Sequence, residues 1–261
     1  MRDIVSPLLG FGSPFGQRRA RGASFDPAVL FAAGEVGDEF AFERDFCFTL
    51  NGGGVYEPVT TTGDEIARVT GRHNSHNLDQ ELLARRPIYN EGGGLSWAYF
   101  DGVDDDMLST LQMGNRAELS VFFGYRSDEV LSANGYLFSA AGNVAIRSNH
   151  GASFLSAGDG KESYTIGGSL NDLPRIVGSD RVFASSGSKS TGALTFGFEG
   201  NQQAGSAGAV STADGLRIGA RGGGVNFEGR IYNMIFRAAL TDANRIAQVE
   251  AYTASKTGVT L

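Results

Sequence analysis

Cysteine is almost missing from this 261-residue chain: Cys47 stands alone, so no intramolecular disulfide can form and no thiolate cluster can hold a metal. The setting of Cys47, "RDFCFTL", reads as a buried small apolar position and not as a nucleophile. Basic charge is also short, with 22 Lys and Arg against 29 Asp and Glu and a net charge of -7. A duplex-sized phosphate footprint needs clustered cations, so nucleic acid is not an expected partner. Long apolar runs are lacking too. Nothing reaches the length of a membrane span, and the opening "MRDIVSPLLGFGSPFGQRRARG" has no continuous signal-peptide core. The expectation is a chain made in the cytoplasm without secretion and without membrane insertion.

Catalytic signatures are equally sparse. No GxxxxGK[ST] is present, and the glycines of "GARGGGVNFEGRIYNMIF" run from strand to strand, whereas a phosphate loop must open a helix. They read as a hairpin turn flanked by Arg217 and Arg221. His150 has no GxSxG partner. Sandwich glucanases place two carboxylates on alternate positions of one strand, and no E-x-D-x-E occurs here. The expectation is therefore that the chain is not an enzyme.

What is abundant is glycine, at 38 residues, and phenylalanine, at 18. From Leu95 onward, short β-rich runs such as "ELSVFFGY", "GYLFSA", "NVAIRS", "DRVFASS", "ALTFGFEG" and "GRIYNMIFRA" alternate with Gly, Asn, Asp and Ser. That rhythm predicts an all-β, antiparallel two-sheet sandwich. Inward positions should include Phe100, Phe122, Leu137, Ile146, Phe196, Phe198, Ile218, Ile231 and Ile235. Earlier, a short helix is expected at Asp26–Ala33, with weak strands around Phe40–Leu50 and Ile66–Val69. The chain closes on a surface helix, capped by Thr241 or Asp242, carrying Ile246, Val249 and Tyr252 on one face and stopped by Gly258. Residues 1–24 form a separate arm before a single domain at 25–261. Its anchors Ile4, Leu8, Phe11 and Phe15, with Arg18 and Arg19, suit docking to a partner protein.

Three constellations could hold a ligand. "FDGVDDDML" gathers Asp101, Asp104 and Asp105, either as a turn with exposed acids or as oxygen ligands for calcium, the one cofactor considered. "RHNSH" brings His73 and His76 together, as a polar loop or as two zinc ligands without an obvious third. Trp97, Tyr125, Tyr136 and Tyr164 are candidate platforms for stacking on a sugar ring, or else core residues.

Taken together, "RPIYNEGGGLSWAYFDGVDDDML", "ELSVFFGYRS" and the segment from "LRIGARGGG" to "KTGV" resemble concanavalin A-like lectin/glucanase (LamG-type) domains of tailed-phage and gene-transfer-agent structural proteins. The resemblance covers Phe25–Leu261 and is loose before Gly71. It implies a jelly-roll on a virion, as a fibre, spike or baseplate appendage, binding host surface polysaccharide. Other virion proteins would be partners through the arm, with a homo-oligomeric assembly. A non-binding decoration or adaptor protein, or a polysaccharide-degrading glycosidase, are the alternatives.

Overall fold

The computed structural model describes residues 25–111, 118–128, 135–139, 152–157, 161–166, 169–174, 178–188, 191–206, 216–221 and 225–261. The first strands are β1 (Gly37–Ala41), β2 (Cys47–Leu50), β3 (Tyr56–Pro58), β4 (Arg68–Thr70), β5 (Asn77–Asp79), β6 (Ile88–Gly92), β7 (Leu95–Asp101) and β8 (Met107–Ser109). The middle of the chain supplies β9 (Glu118–Ser127), β10 (Gly135–Ser139), β11 (Ala152–Ala157), β12 (Lys161–Ile166), β13 (Ser169–Pro174), β14 (Arg181–Ser188), β15 (Ala193–Phe198) and β16 (Asn201–Ser206). Then come β17 (Arg217–Ile218), β18 (Ala220–Arg221), β19 (Val225–Asn226), β20 (Glu228–Arg237) and the helix α1 (Ala243–Thr257).

Two large antiparallel sheets result, as expected. One runs β16-β15-β14-β9-β20-β7-β6, with β1 also on β20, and the other runs β13-β12-β11-β10-β17-β8-β5-β4-β2-β3. The period-two pattern of β9 explains how they face: Leu119, Val121, Phe123 and Tyr125 enter the main core. There Phe123 of β9 stacks on Phe138 of β10 at 4.9 Å and meets Phe236 of β20 edge-on at 5.4 Å. Each such ring, fully buried, contributes about 1.5–3 kcal/mol, so this trio fastens one sheet to the other.

Of the expected inward positions, Phe100, Leu137, Phe196, Phe198, Ile218 and Ile231 lie in that core. Phe122 and Ile235 are buried on the opposite face, in a second cluster with Leu30, Ile246 and Val249 beneath α1. Adjacent strand residues point to opposite faces, so Phe122 cannot share the side of Phe123. Ile146 lies outside the described residues, as do Ile4, Leu8, Phe11, Phe15, Arg18 and Arg19.

Helix α1 is capped by the Asp242 carboxylate on the Arg245 N–H at 3.0 Å and ends at Gly258 in the left-handed region. It packs over β9, β14 and β20. Gly124 permits that approach, because a Cβ there would lie 2.5 Å from Thr257 Cγ2. The expected helix at Asp26–Ala33 shortens to one 3-10 turn, Pro27–Leu30, capped by Asp26. The expected strand over Phe40–Leu50 is interrupted by a second 3-10 turn, Arg44–Phe46, where the chain crosses from β1 in one sheet to β2 in the other. Among the described residues no helix is long and apolar enough to cross a membrane.

Candidate functional site

The long strand β20 has two neighbours along one flank, β1 opposite Asn233–Arg237 and β7 opposite Glu228–Ile231. Tyr232 falls between them, where the register against β9 shifts. A bulge of this kind re-aims a side chain. The Tyr232 ring lies 5.8 Å from that of Trp97, and its hydroxyl donates to Asp180 Oδ1 at 2.5 Å. Where β1 ends, the Phe42 N–H binds the Tyr232 carbonyl at 3.1 Å and the chain turns away at Glu43.

A cleft opens at this junction. One wall is Glu43 at the crossing, and the other is the hairpin of β6 and β7, turned by Gly93 and Gly94 at φ 63° and 80°, to which Arg44 reaches through Glu91. Two positive values in succession fit a two-residue hairpin turn and suit glycine. One hollow, about 290 Å³, is lined by Glu43, Tyr232, Ser255 and Lys256; the other, about 490 Å³, by Tyr89, Glu91 and Gly92. They share Gly94, Leu95 and Ser96.

Each hollow carries one carboxylate with fixed donors. Glu43 leaves its 3-10 turn uncapped and accepts instead from Arg72 Nη2 at 2.5 Å and Lys256 Nζ at 2.7 Å. Glu91 accepts from Arg44 Nη2 at 2.6 Å and from the Tyr89 hydroxyl at 2.9 Å. Burial, then the bond and charge of Glu91, push the Tyr89 phenol up to about 12. Burial and Asp180 push Tyr232 higher still, so both phenols stay O–H donors at neutral pH. A carboxylate offers about four lone-pair sites; with two side-chain donors each, Glu43 and Glu91 keep roughly half of theirs for a ligand.

Behind Glu43 lies a buried polar network that sets its position. The Asp38 carboxylate accepts the backbone N–H groups of Glu39, His73, Asn74 and His76 at 2.8–3.1 Å. This wraps the loop Gly71–Asn77 around one side chain, and Gly71 is required there because a Cβ would lie 2.2 Å from Asp38 Oδ2. The loop delivers Arg72 to Glu43, with Arg72 Nη1 donating to the Tyr252 hydroxyl at 2.9 Å. Tyr252 in turn donates to the fully buried Glu39 at 2.6 Å, and His73 Nε2 sits 3.1 Å from the other Glu39 oxygen.

The residues singled out from sequence fall unevenly around this site. Trp97 is half-buried and lines neither hollow, though it lies 3.6 Å from the position a Cβ on Gly92 would take, with Arg230 over its ring at 4.7 Å. Tyr125 and Tyr136 are not exposed platforms: Tyr125 is fully buried against Phe198, and Tyr136 is 8% exposed. An aromatic ring at an inward strand position covers more apolar surface in the core than at a rim. Tyr164 is on β12, whose side chains lie outside the described residues. Asp101, Asp104 and Asp105 do converge, with ligand atoms within 4.8 Å of one another. Asp101 is engaged by the Val103 N–H at 2.8 Å and shapes a turn, and at one oxygen each the three carboxylates would supply no more than half of the six to eight oxygens calcium takes. His73 and His76 belong to the loop around Asp38. Gly222–Gly224 lie outside the described residues, while β18 and β19 on either side of them pair antiparallel, and Arg217 pairs with buried Asp106. Cys47 is buried, its thiol pushed up by desolvation and by Glu43.

No family model matches the chain, and no curated protein sequence matches it. Solved structures do. An arabinofuranosidase complexed with arabinofuranosyl-alpha-1,2-xylobiose superposes with a TM-score of 0.63 at 9% identity, over 89% of this chain and 65% of that one. Trypanosoma rangeli sialidase in complex with 2,3-difluorosialic acid superposes with a TM-score of 0.53 at 8% identity, over 87% of this chain and 33% of that one. The chain thus spans less than two thirds of either. The fold is a β-sandwich of the kind found within carbohydrate-active proteins. The expectation that the chain is not an enzyme is corrected by these neighbours, since chains of a glycosidase and a sialidase contain the same architecture. The physical reason is visible in the cleft: two carboxylates can reach one cleft from separate elements, as Glu43 and Glu91 do, so the lack of a one-strand motif excludes nothing.

Proposed function

We propose that this chain is a carbohydrate-recognising sandwich domain whose sugar site is the cleft between Glu43–Arg44 and the β6–β7 hairpin. The observation that carries the reading is the pair of anchored carboxylates, Glu43 and Glu91, one in each of two adjoining hollows. A sugar presents many hydroxyls that both donate and accept. Carboxylates with spare lone pairs, beside a lysine and an arginine held in place, match that pattern, and Tyr232, its ring 5.8 Å from that of Trp97, adds an aromatic face to the smaller hollow. The shared architecture with sugar-acting proteins supports the reading. A glycan panel probed with the purified chain and with Glu91→Ala tests it: the chain should bind a defined subset, and the variant should lose that subset while staying folded.

A second reading, glycoside hydrolysis, is favoured by the placement of the same two carboxylates along one cleft, since bond cleavage needs one to protonate the leaving oxygen and the other to act as base or nucleophile. Accumulation of reducing ends from a bound polysaccharide, abolished in both Glu43→Gln and Glu91→Gln, would select it. The virion setting comes from the sequence resemblance, with residues 1–24 as the attachment segment; deleting residues 2–17 should then release the domain from its particle without changing glycan binding.

A further inference from the structure

The charges lining the cleft narrow the class of sugar, on the reading that the cleft binds sugar at all. We infer that the site selects uncharged oligosaccharides spanning both hollows and discriminates against acidic ones. Among the described residues, each cation that touches Glu43 or Glu91 is matched. Lys256 is 2.7 Å from one Glu43 oxygen, Arg72 is 2.5 Å from the other, and Arg44 is 2.6 Å from Glu91. Arg72 also lies 3.8 Å from the buried carboxylate of Glu39. Three carboxylates therefore balance three cations.

Acceptor capacity remains on Glu43 and Glu91, but among the described residues none of Lys256, Arg72 and Arg44 is left without a counter-charge. A uronic or sialic acid carboxylate entering either hollow would face Glu43 or Glu91 across the ligand and would have to displace it from its cation. Like-charge juxtaposition of that kind discriminates strongly between partners. The net charge of -7 acts in the same direction at long range, opposing the approach of a polyanion. Neutral hydroxyls suffer neither penalty. Because the hollows share Gly94–Ser96, a ligand touching both carboxylates must extend across that wall, which favours an oligosaccharide over a single sugar.

The test titrates the full chain with neutral oligosaccharides and with uronic-acid-containing or sialylated oligosaccharides of equal length, by calorimetry at low and high salt. Neutral ligands should bind at least about tenfold more tightly, a gap of about 1.4 kcal/mol, and monosaccharides more weakly than their oligomers. Glu43→Gln leaves Lys256 and Arg72 undermatched and should narrow that gap in favour of acidic ligands, whereas Lys256→Gln should not. Equal or tighter binding of acidic sugars by the unmodified chain overturns the inference and leaves sugar recognition standing. A folded Glu43→Gln variant with an unchanged neutral-to-acidic ratio also overturns it. If neither class binds, the sugar reading itself falls, and the inference with it.

Discussion

The Tyr252 hydroxyl donates a 2.6 Å hydrogen bond to the Glu39 carboxylate, fastening α1 to β1 across 213 residues of sequence. Burial, reinforced by Glu39, pushes the Tyr252 phenol well above its ordinary value, so it stays a donor. Glu39 is wholly buried, and a buried carboxylate robbed of a donor bears the desolvation cost uncompensated. Tyr252→Phe should therefore lower stability by about 1.5–3 kcal/mol, read as a shifted urea midpoint with an unchanged slope. An unchanged midpoint would mean that the apolar cluster around Ile246 and Val249 holds the helix unaided.

Gly71→Ala should cost stability and ligand binding together. A Cβ at this position would lie 2.2 Å from Asp38 Oδ2 and 2.4 Å from its Cγ, so the carboxylate that organises Gly71–Asn77 must move. Overpacking of this kind costs about 1–3 kcal/mol. Arg72 moves with the loop, and Glu43 loses a donor. Weaker glycan binding at an unfolding midpoint still above the assay temperature is the expected result; a variant that loses stability but binds normally would separate the loop from the cleft.

The sandwich was legible because its cause is local. In "ELSVFFGYRS" the alternation that buries Leu119, Val121 and Phe123 is printed in the sequence, and the same alternation places Tyr125 inside with them, against its use as a platform. The terminal helix was legible through Asp242 and Gly258. The cleft was not, because Arg44 and Glu91 lie 47 residues apart and meet only where β1 and β7 diverge along β20, at a bulge that no spacing records. Nothing in "GDEFAF" marks Asp38 and Glu39 as buried; their burial depends on groups lent by the distant loop "GRHNSHN". That loop stood out in the sequence, but the acceptor it encloses did not.

Asp105 should give the protein a stability that falls as pH rises through the weakly acidic range. Burial pushes its carboxyl up to about 7, opposed by the bond from the Asp101 N–H and aided by the charges of Asp101 and Asp104. The unfolded chain releases this proton near the ordinary aspartate value of about 3.9. Between about pH 4 and pH 7 the folded state therefore binds more protons, and stability from this group is full below that window and lost across it. Asp105→Asn can still accept the Asp101 N–H and does not titrate. Its stability relative to the unmodified chain should rise steadily from pH 4 to pH 7, by chemical denaturation at matched ionic strength, and then level off. A flat difference would place the Asp105 pKa near its ordinary value.

Trp97 is the single tryptophan of the chain and sits where it can report on the cleft. It lies on β7 outside the linings of both hollows, but its ring is 5.8 Å from that of Tyr232, which lines the smaller one, and Arg230 lies above it. A ligand filling the cleft displaces water near the indole and alters the polarity it senses, so a binding oligosaccharide should shift the emission and saturate. Glu91→Gln keeps the shape of the hairpin but leaves Arg44 and the Tyr89 hydroxyl with a neutral acceptor in place of a charged one. Charge-assisted hydrogen bonds are about twice as strong as neutral ones, so the variant should need severalfold more ligand to reach half-saturation while showing the same final spectrum. Trp97→Phe should lose the signal but keep binding by calorimetry if the ring only reports, and should lose both if it stacks on the sugar. A saturating signal that Glu91→Gln leaves unmoved would place the ligand elsewhere on the sandwich.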